Sequence, residues 1–104
     1  MDAIELIRAE RERQQSVEGW TEKHDDEHDY QELAMAAAVY ALPDPERKRP
    51  RIATTGNPSL ALYLWPWSDT DLKTTPSDRV RELVKAGALI VAEIERLQRK
   101  ETNR

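Results

Sequence analysis

Thr75-Pro-Ser-Asp-Arg-Val80-Arg-Glu-Leu-Val-Lys85-Ala-Gly-Ala-Leu-Ile90-Val-Ala-Glu-Ile-Glu95-Arg-Leu97 is the stretch whose reading decides the fold. Its apolar positions are Val80, Leu83, Val84, Gly87, Leu89, Ile90, Val91, Ile94 and Leu97. At both ends their spacing is that of a helix with one apolar stripe. From Ala86 to Ala92 the pattern is apolar all round, which predicts a turn buried on several sides. Thr75 as N-cap with Pro76 at the first helical position gives a start signal. The prediction is a long helix over 76–101. Lys85, just before the apolar turn, is its odd charge. Gly87 costs roughly 1 kcal/mol relative to Ala inside a helix. A close contact with another backbone would offset that cost, and the natural partner is an Ala-rich helix elsewhere in the chain.

That partner is read at Tyr30–Leu42, where Leu33-Ala-Met-Ala-Ala-Ala-Val-Tyr40 offers small side chains and Pro43 ends the pattern. A third helix is read over 2–18. Asp2 serves as its N-cap and Ile4, Leu6 and Ile7 form an apolar start. Glu and Arg then alternate at helical spacing, and Gly19 stands just past the end. Arg13 and Gln14 on this helix belong either to a solvated end or to the wall of a pocket. Between 43 and 60, Pro43, Pro45, Pro50 and Pro58 break any regular pattern. The basic run Arg47, Lys48, Arg49 and Arg51 there is either a solvated loop or an arm that closes over an anion. Residues 59–67 read as a short helical or extended segment ending in the turn Trp65-Pro66-Trp67. The fold class is therefore all-α: a compact bundle of three main helices, about 2–18, 30–42 and 76–101, with a long irregular Pro-rich connection.

The bulk properties narrow the function. With 104 residues the chain makes one domain, 1–104, with a modest core. The formal net charge of −4 argues against direct binding of nucleic acid. There is no cysteine, which excludes disulfides and thiolate metal sites. No apolar run approaches the ~20 residues of a membrane span, and the N-terminus lacks a signal-peptide pattern. The expectation is a cytoplasmic protein with no membrane partner.

Chemistry concentrates in Glu18-Gly-Trp20-Thr-Glu-Lys-His24-Asp-Asp-Glu-His28-Asp29, which holds both histidines of the protein. His24 and His28 share one face if the segment is helical, and imidazole with carboxylate suits a transition metal. Asp25, however, stands where the zinc-protease spacing has Glu, and no third ligand is marked elsewhere. The expectation is no metal and no cofactor. The acids also suit helix entry, with Asp26 or Asp29 capping the Ala-rich helix and Glu32 completing a capping box. Trp20-Thr21 reads as a staple that turns the chain back onto the core, and the two tryptophans at 65 and 67 as core plugs or ligand stackers. No serine nucleophile setting and no Gly-rich phosphate loop is present.

The joint pattern of Arg13-Gln14, Glu18-Gly-Trp-Thr21, His24-Asp-Asp26, His28, Glu32-Leu-Ala34, Trp65-Pro-Trp67, Asp78-Arg79 and Leu83 through Leu97 resembles a family of small proteins of phages and prophages. More distantly, Gly19-Trp20-Thr21, Pro66-Trp67, Asp78-Arg79 and Gly87 are similar to the RyR domain, the repeat of ryanodine receptors. The chain departs from that domain at Glu22 and Lys23, where it has tyrosine and glycine, and lacks its His-Pro pair. The resemblance implies an RyR-like helical domain in a phage accessory protein that binds a nucleotide-derived small molecule and withholds it from host immunity. Candidate ligand residues are Arg13, Gln14, Trp20, Thr21, His24, Asp25, His28, Trp67 and Lys85, with a tryptophan stacking a base and Lys85 or Arg13 meeting a phosphate. Two other readings stand beside it. One is a metal-dependent nucleotide pyrophosphohydrolase resembling the all-α MazG type, with Glu93 and Glu95 among its ligands. The other is a protein–protein inhibitor of a host enzyme. Binding is favoured over catalysis, and a homo-oligomer is compatible.

Overall fold

A computed structural model describes residues 1–50 and 59–102. Among these the fold is all-α, with helices α1 (Ala3–Ser16), α2 (Glu22–Asp26), α3 (Glu32–Ala41), α4 (Asp44–Arg47), α5 (Leu60–Leu64) and α6 (Arg79–Thr102). A single 3₁₀ turn, Asp69–Asp71, lies between α5 and α6. The three expected long helices are α1, α3 and α6, and α6 packs against α1, α2 and α3.

Local chemistry explains most of the boundaries. The Asp2 carboxylate accepts from the Glu5 amide at 2.8 Å, which is the N-cap expected for α1. Gly19 adopts φ 75°, a left-handed conformation that a Cβ would strain, and the Trp20 amide then donates back to the Gln14 carbonyl at 2.9 Å. The segment 20–29 between the first two expected helices contains α2. Thr21 caps it, its hydroxyl accepting from the His24 amide at 3.3 Å. Neither Asp26 nor Asp29 caps α3. That helix is entered through Gln31 at φ 69°, and Glu32 reaches back to accept from the Tyr30 amide at 2.7 Å. Ser59 caps α5, so the segment before Trp65-Pro66-Trp67 is helical rather than extended. α6 begins three residues later than expected. Thr75 to Asp78 form a turn (Asp78 amide to Thr75 carbonyl, 2.8 Å), and Asp78, not Thr75, accepts from the Arg81 amide at 3.1 Å.

The apolar core is alanine-rich: Leu33, Ala36, Ala37, Val39, Tyr40, Ala61, Trp65, Ala86, Leu89 and Ala92. Small side chains on α3 and α6 let the two backbones approach closely. Gly87 has a different partner from the one expected. A Cβ there would sit 2.8 Å from Ile7 Cδ1, so the glycine accommodates α1 rather than α3. The apolar turn Ala86–Ala92 is also not enclosed all round, since Ile90 remains half exposed.

A layer of buried charge joins the helices around this core. Arg11 pairs with Asp25 at 2.5 Å, joining α1 to α2. Arg81 pairs with Glu10 at 2.6 Å, joining α6 to α1. Arg47 pairs with Glu82 at 2.6 Å, and both are almost fully buried. Among its described residues the run is divided: Lys48 and Arg49 are exposed, as a solvated segment would have them, and Arg47 is buried. Arg47 sits on α4 and donates to the Val39 carbonyl at 3.3 Å, while Lys48 and Arg49 pair with Asp44 and Glu46 on their own turn. Arg51 lies outside the described residues. Arg79 donates from the other side to the Tyr40, Ala41 and Leu42 carbonyls. Two guanidiniums thus satisfy the carbonyls that the C-terminus of α3 leaves open. Beyond α4, Pro50 and Ser59 form an isolated antiparallel bridge, and the Leu60 amide donates to the Arg49 carbonyl at 2.7 Å. No described helix is long and apolar enough to cross a membrane.

Candidate functional site

Seven of the nine candidate residues come together on one cavity. It has a volume of about 500 Å³, and Arg13, Gln14, Trp20, His24, His28, Trp67 and Lys85 line it. Thr21 and Asp25 do not. Thr21 is spent on capping α2. Asp25 is fully buried beneath His24, where it takes the Arg11 guanidinium and lies 3.3 Å from His24 Nδ1. Its side chain supports the site from behind rather than facing a ligand.

The cavity forms because three elements converge on the same side of α6. α1 contributes Glu10, Arg13 and Gln14; the turn after it and α2 contribute Glu18, Trp20 and His24. Trp65, Trp67, Ser68, Asp71 and Lys73 come from the stretch after α5. All three tryptophans of the chain therefore border one space. They differ in what they do there. Trp65 is buried, donates its indole N–H to the Ser68 carbonyl at 2.9 Å and meets Tyr40 edge-on, which makes it a core plug. Trp67 stands edge-on to Trp65 and 5.2 Å from His28, on the open side. Trp20 lies parallel to His24, with ring centroids 6.0 Å apart.

The histidines form a chain across the wall. His28 Nδ1 is 2.7 Å from Glu32 Oε2, His24 Nδ1 is 3.3 Å from Asp25 Oδ1, and the two Nε2 atoms meet at 3.3 Å. Each Nδ1 faces a carboxylate, and the tautomer of each ring decides which nitrogen donates in these contacts. Burial alone would raise the Glu32 pKa, but hydrogen bonds from His28 and the Tyr30 amide outweigh it and hold the carboxyl below its ordinary range. These are two nitrogens at chelating distance. Among the described residues no group of three or more His, Asp or Glu side chains is placed to hold a metal ion. Glu93 and Glu95, the acids read as Mg²⁺ ligands, are engaged by Arg96 at 2.6 Å and by Arg11 at 3.7 Å.

The charges on the opposite wall are unequal. Arg13 is committed to Glu10 and Glu18, both at 2.9 Å. Hydrogen bonds to those two carboxylates raise its pKa further, so it stays charged. Lys85 has no carboxylate partner among the described residues: its Nζ donates to the Lys73 carbonyl at 3.1 Å and lies 5.4 Å from the centre of the Tyr40 ring. Burial first, then the Arg81 charge, pushes the ammonium below its ordinary pKa. An anion brought close would be stabilised by that ammonium and would restore its proton affinity. Two more polar atoms on the lining residues lack partners among the described residues. Gln14 Oε1 is an acceptor and Trp67 Nε1 a donor, and both are buried. An orphaned buried polar atom costs about 1–3 kcal/mol, and a ligand that satisfies it recovers that cost.

The sequence missed Tyr40, Lys73, Asp71 and Ser68 as lining residues. Tyr40 looked like one more apolar position of an Ala-rich helix. Its hydroxyl in fact accepts from the Lys73 amide at 3.3 Å, and burial raises its pKa. Nothing local to residues 68–73 marks them, since they reach the cavity only because Trp65-Pro66-Trp67 turns the chain.

Compared with known proteins, the chain matches no family model, no curated protein and no solved structure.

Proposed function

We propose that this cavity binds a small anionic molecule with a planar ring, of the nucleotide-derived class, and that the protein is a binder rather than a catalyst. The observation that carries this reading is the pair of buried polar atoms without partners among the described residues, the Trp67 indole N–H and the Gln14 amide oxygen, on two residues that line the cavity. A nucleobase edge offers an acceptor to the first and a donor to the second while its faces lie against indole and imidazole. The Lys85 ammonium, which has no carboxylate partner among the described residues, provides for a phosphate. A volume of about 500 Å³ is within the range of small-molecule sites. The resemblance to phage proteins and the RyR domain supports sequestration as the purpose: a host signalling nucleotide is held and so removed.

Titration of the protein with cyclic oligonucleotides, nucleoside phosphates and ADP-ribose derivatives tests this. Because every tryptophan borders the cavity, a bound ring should quench intrinsic fluorescence as well as raise the melting temperature. Trp67→Phe, which deletes the N–H and keeps most of the ring, and Lys85→Met should each weaken binding about tenfold or more, the scale of one lost buried hydrogen bond or charge contact. Binding by none of the panel sinks the reading. Incubation with Mg²⁺ or Mn²⁺ and nucleoside triphosphates separates it from the hydrolase reading: the nucleotides should be recovered unchanged.

A further inference from the structure

His24 and His28 are the two histidines of the chain, and the fold turns them toward each other. His24 lies on α2. The chain keeps turning past the end of that helix, with the His28 amide donating to the Asp25 carbonyl at 3.0 Å, so His28 follows His24 on the same side. The two Nε2 atoms stand 3.3 Å apart. The ring centroids are farther apart, at 4.6 Å, so the Nε2 tips lean toward each other. Each ring is also held from behind. His24 Nδ1 is 3.3 Å from Asp25 Oδ1, and His28 Nδ1 is 2.7 Å from Glu32 Oε2. Trp20 lies parallel to the first ring, and Trp67 stands 5.2 Å from the second. Both imidazoles line the cavity.

We propose that His24 and His28 form a binding site for one divalent transition ion of the Zn²⁺ type, ligated by both Nε2 atoms and open to the cavity at its other positions. The spacing is the first argument. Two imidazole nitrogens on a tetrahedral Zn²⁺ are about 3.3–3.4 Å apart, whereas right-angled coordination at the same bond length sets them about 3.0 Å apart. The observed 3.3 Å is the tetrahedral edge. The backing is the second argument. A ligating imidazole gives its other N–H to a carboxylate or carbonyl, which fixes the tautomer and the ring orientation. Asp25 and Glu32 stand at those two positions, so the tautomer that frees both Nε2 lone pairs is the one these carboxylates accept. Donor type is the third: imidazole selects Zn²⁺, Cu²⁺ or Ni²⁺ over Mg²⁺ and Ca²⁺, which take oxygen ligands. The sequence argued against a metal because it marks no third ligand, and among the described residues none joins the pair. An open site needs none, since the free positions of the ion take water or an oxygen of an anion in the cavity. The site does not rest on the nucleotide reading, because the metal alone probes it.

Equilibrium dialysis of the untagged, chelator-treated protein against Zn²⁺ alone should load one ion per chain at micromolar free metal, with no competition from Mg²⁺. Co²⁺ in its place should give the intense visible absorption of a four-coordinate ion; the weak spectrum of a six-coordinate one overturns the tetrahedral geometry. His24→Gln and, separately, His28→Gln should each weaken loading about tenfold or more with an unchanged far-ultraviolet helix spectrum, and Glu32→Gln should weaken it roughly tenfold through the ring it orients. Long-range ¹H–¹⁵N spectra of the wild type keep the test independent of how the variants fold: Zn²⁺ should shift both Nε2 resonances and leave both Nδ1 atoms protonated. No loading of the wild type, loading that survives in both folded histidine variants, or imidazole nitrogens unmoved by Zn²⁺ overturns the site. Metal loading without binding of any nucleotide would strike the proposed ligand of the cavity and leave this site standing.

Discussion

The two sides of α6 invert the usual arrangement. The inward side holds Glu82, Glu93 and Arg96 among its buried residues, alongside Ala86, Leu89 and Ala92. The outward side holds Val80, Leu83, Ile90, Ile94 and Leu97. Within the folded chain the inward side reaches α3, α4 and the cavity, and each of its charges has a named partner. The outward side has apolar groups that the described residues leave partly exposed. Hydropathy therefore does not by itself say which side of a helix faces its own fold. Charges go inside when opposite charges wait there, and a helix can keep an apolar stripe on its open side.

Breaking the inward side should have the largest effect. Glu82 is fully buried and takes Arg47 at 2.6 Å, the Thr75 amide at 3.0 Å and Arg79 at 3.1 Å. Glu82→Ala leaves two guanidiniums short of an acceptor and should cost about 3–5 kcal/mol, the penalty for an uncompensated buried charge. Urea denaturation reads it. A loss under 1 kcal/mol would mean that the inward charges are dispensable and the contrast is one of composition only.

Adjacent residues sharpen the comparison. Leu89→Ala on the inward side should cost about 2–5 kcal/mol. Ile90→Ala, one residue on and half exposed, should cost less than about 1 kcal/mol. Equal losses would show that Ile90 is covered by its own chain after all.

The two glycines give a smaller test of the same kind. Gly19 has φ 75° with open space around it, so Gly19→Ala should cost about 1 kcal/mol through backbone strain alone. At Gly87 a Cβ meets only the movable end of Ile7. Gly87→Ala gains about 1 kcal/mol of helix propensity against that displacement, and thermal denaturation should show a net change near zero.

Acid should produce the smallest separable effect. Burial would raise the Glu10 pKa, but hydrogen bonds from Arg13 and Arg81 outweigh it and lower it. A depressed folded pKa stabilises fully above the unfolded value of about 4.3 and loses that contribution as pH falls through the folded value. Glu10→Gln should therefore lower the melting temperature near neutrality, where that contribution is present, and flatten its fall in acid, so that the two curves converge below that pH.

The three long helices were legible because propensity, capping and periodicity agree within each segment: Asp2 ahead of α1, Pro43 after α3, the repeated apolar spacing of α6. The grouping of Trp20, His24, His28 and Trp67 was legible as chemistry, since tryptophan and histidine are scarce in this chain and cluster in two places. What was not legible depended on partners far away. Arg47 looked solvated in a basic run, and Glu82, 35 positions on, supplies the buried carboxylate that makes its burial tolerable. Asp25 looked like a ligand contact, and Arg11 on a preceding helix draws it inward. The apolar turn of α6 looked enclosed, because an open seam and a core stripe have the same spacing.

The bridge between Pro50 and Ser59, backed by the Leu60 amide on the Arg49 carbonyl, fixes the two ends of residues 51–58 against each other. The helices on either side are then tied by contacts that do not pass through that segment. Lengthening a segment closed at its base in this way adds a closure entropy of about 0.6 kcal/mol for each doubling. This makes the position a graft point: an epitope or a small reporter domain inserted there should be carried with the bundle intact and the aromatic cavity still able to quench on titration.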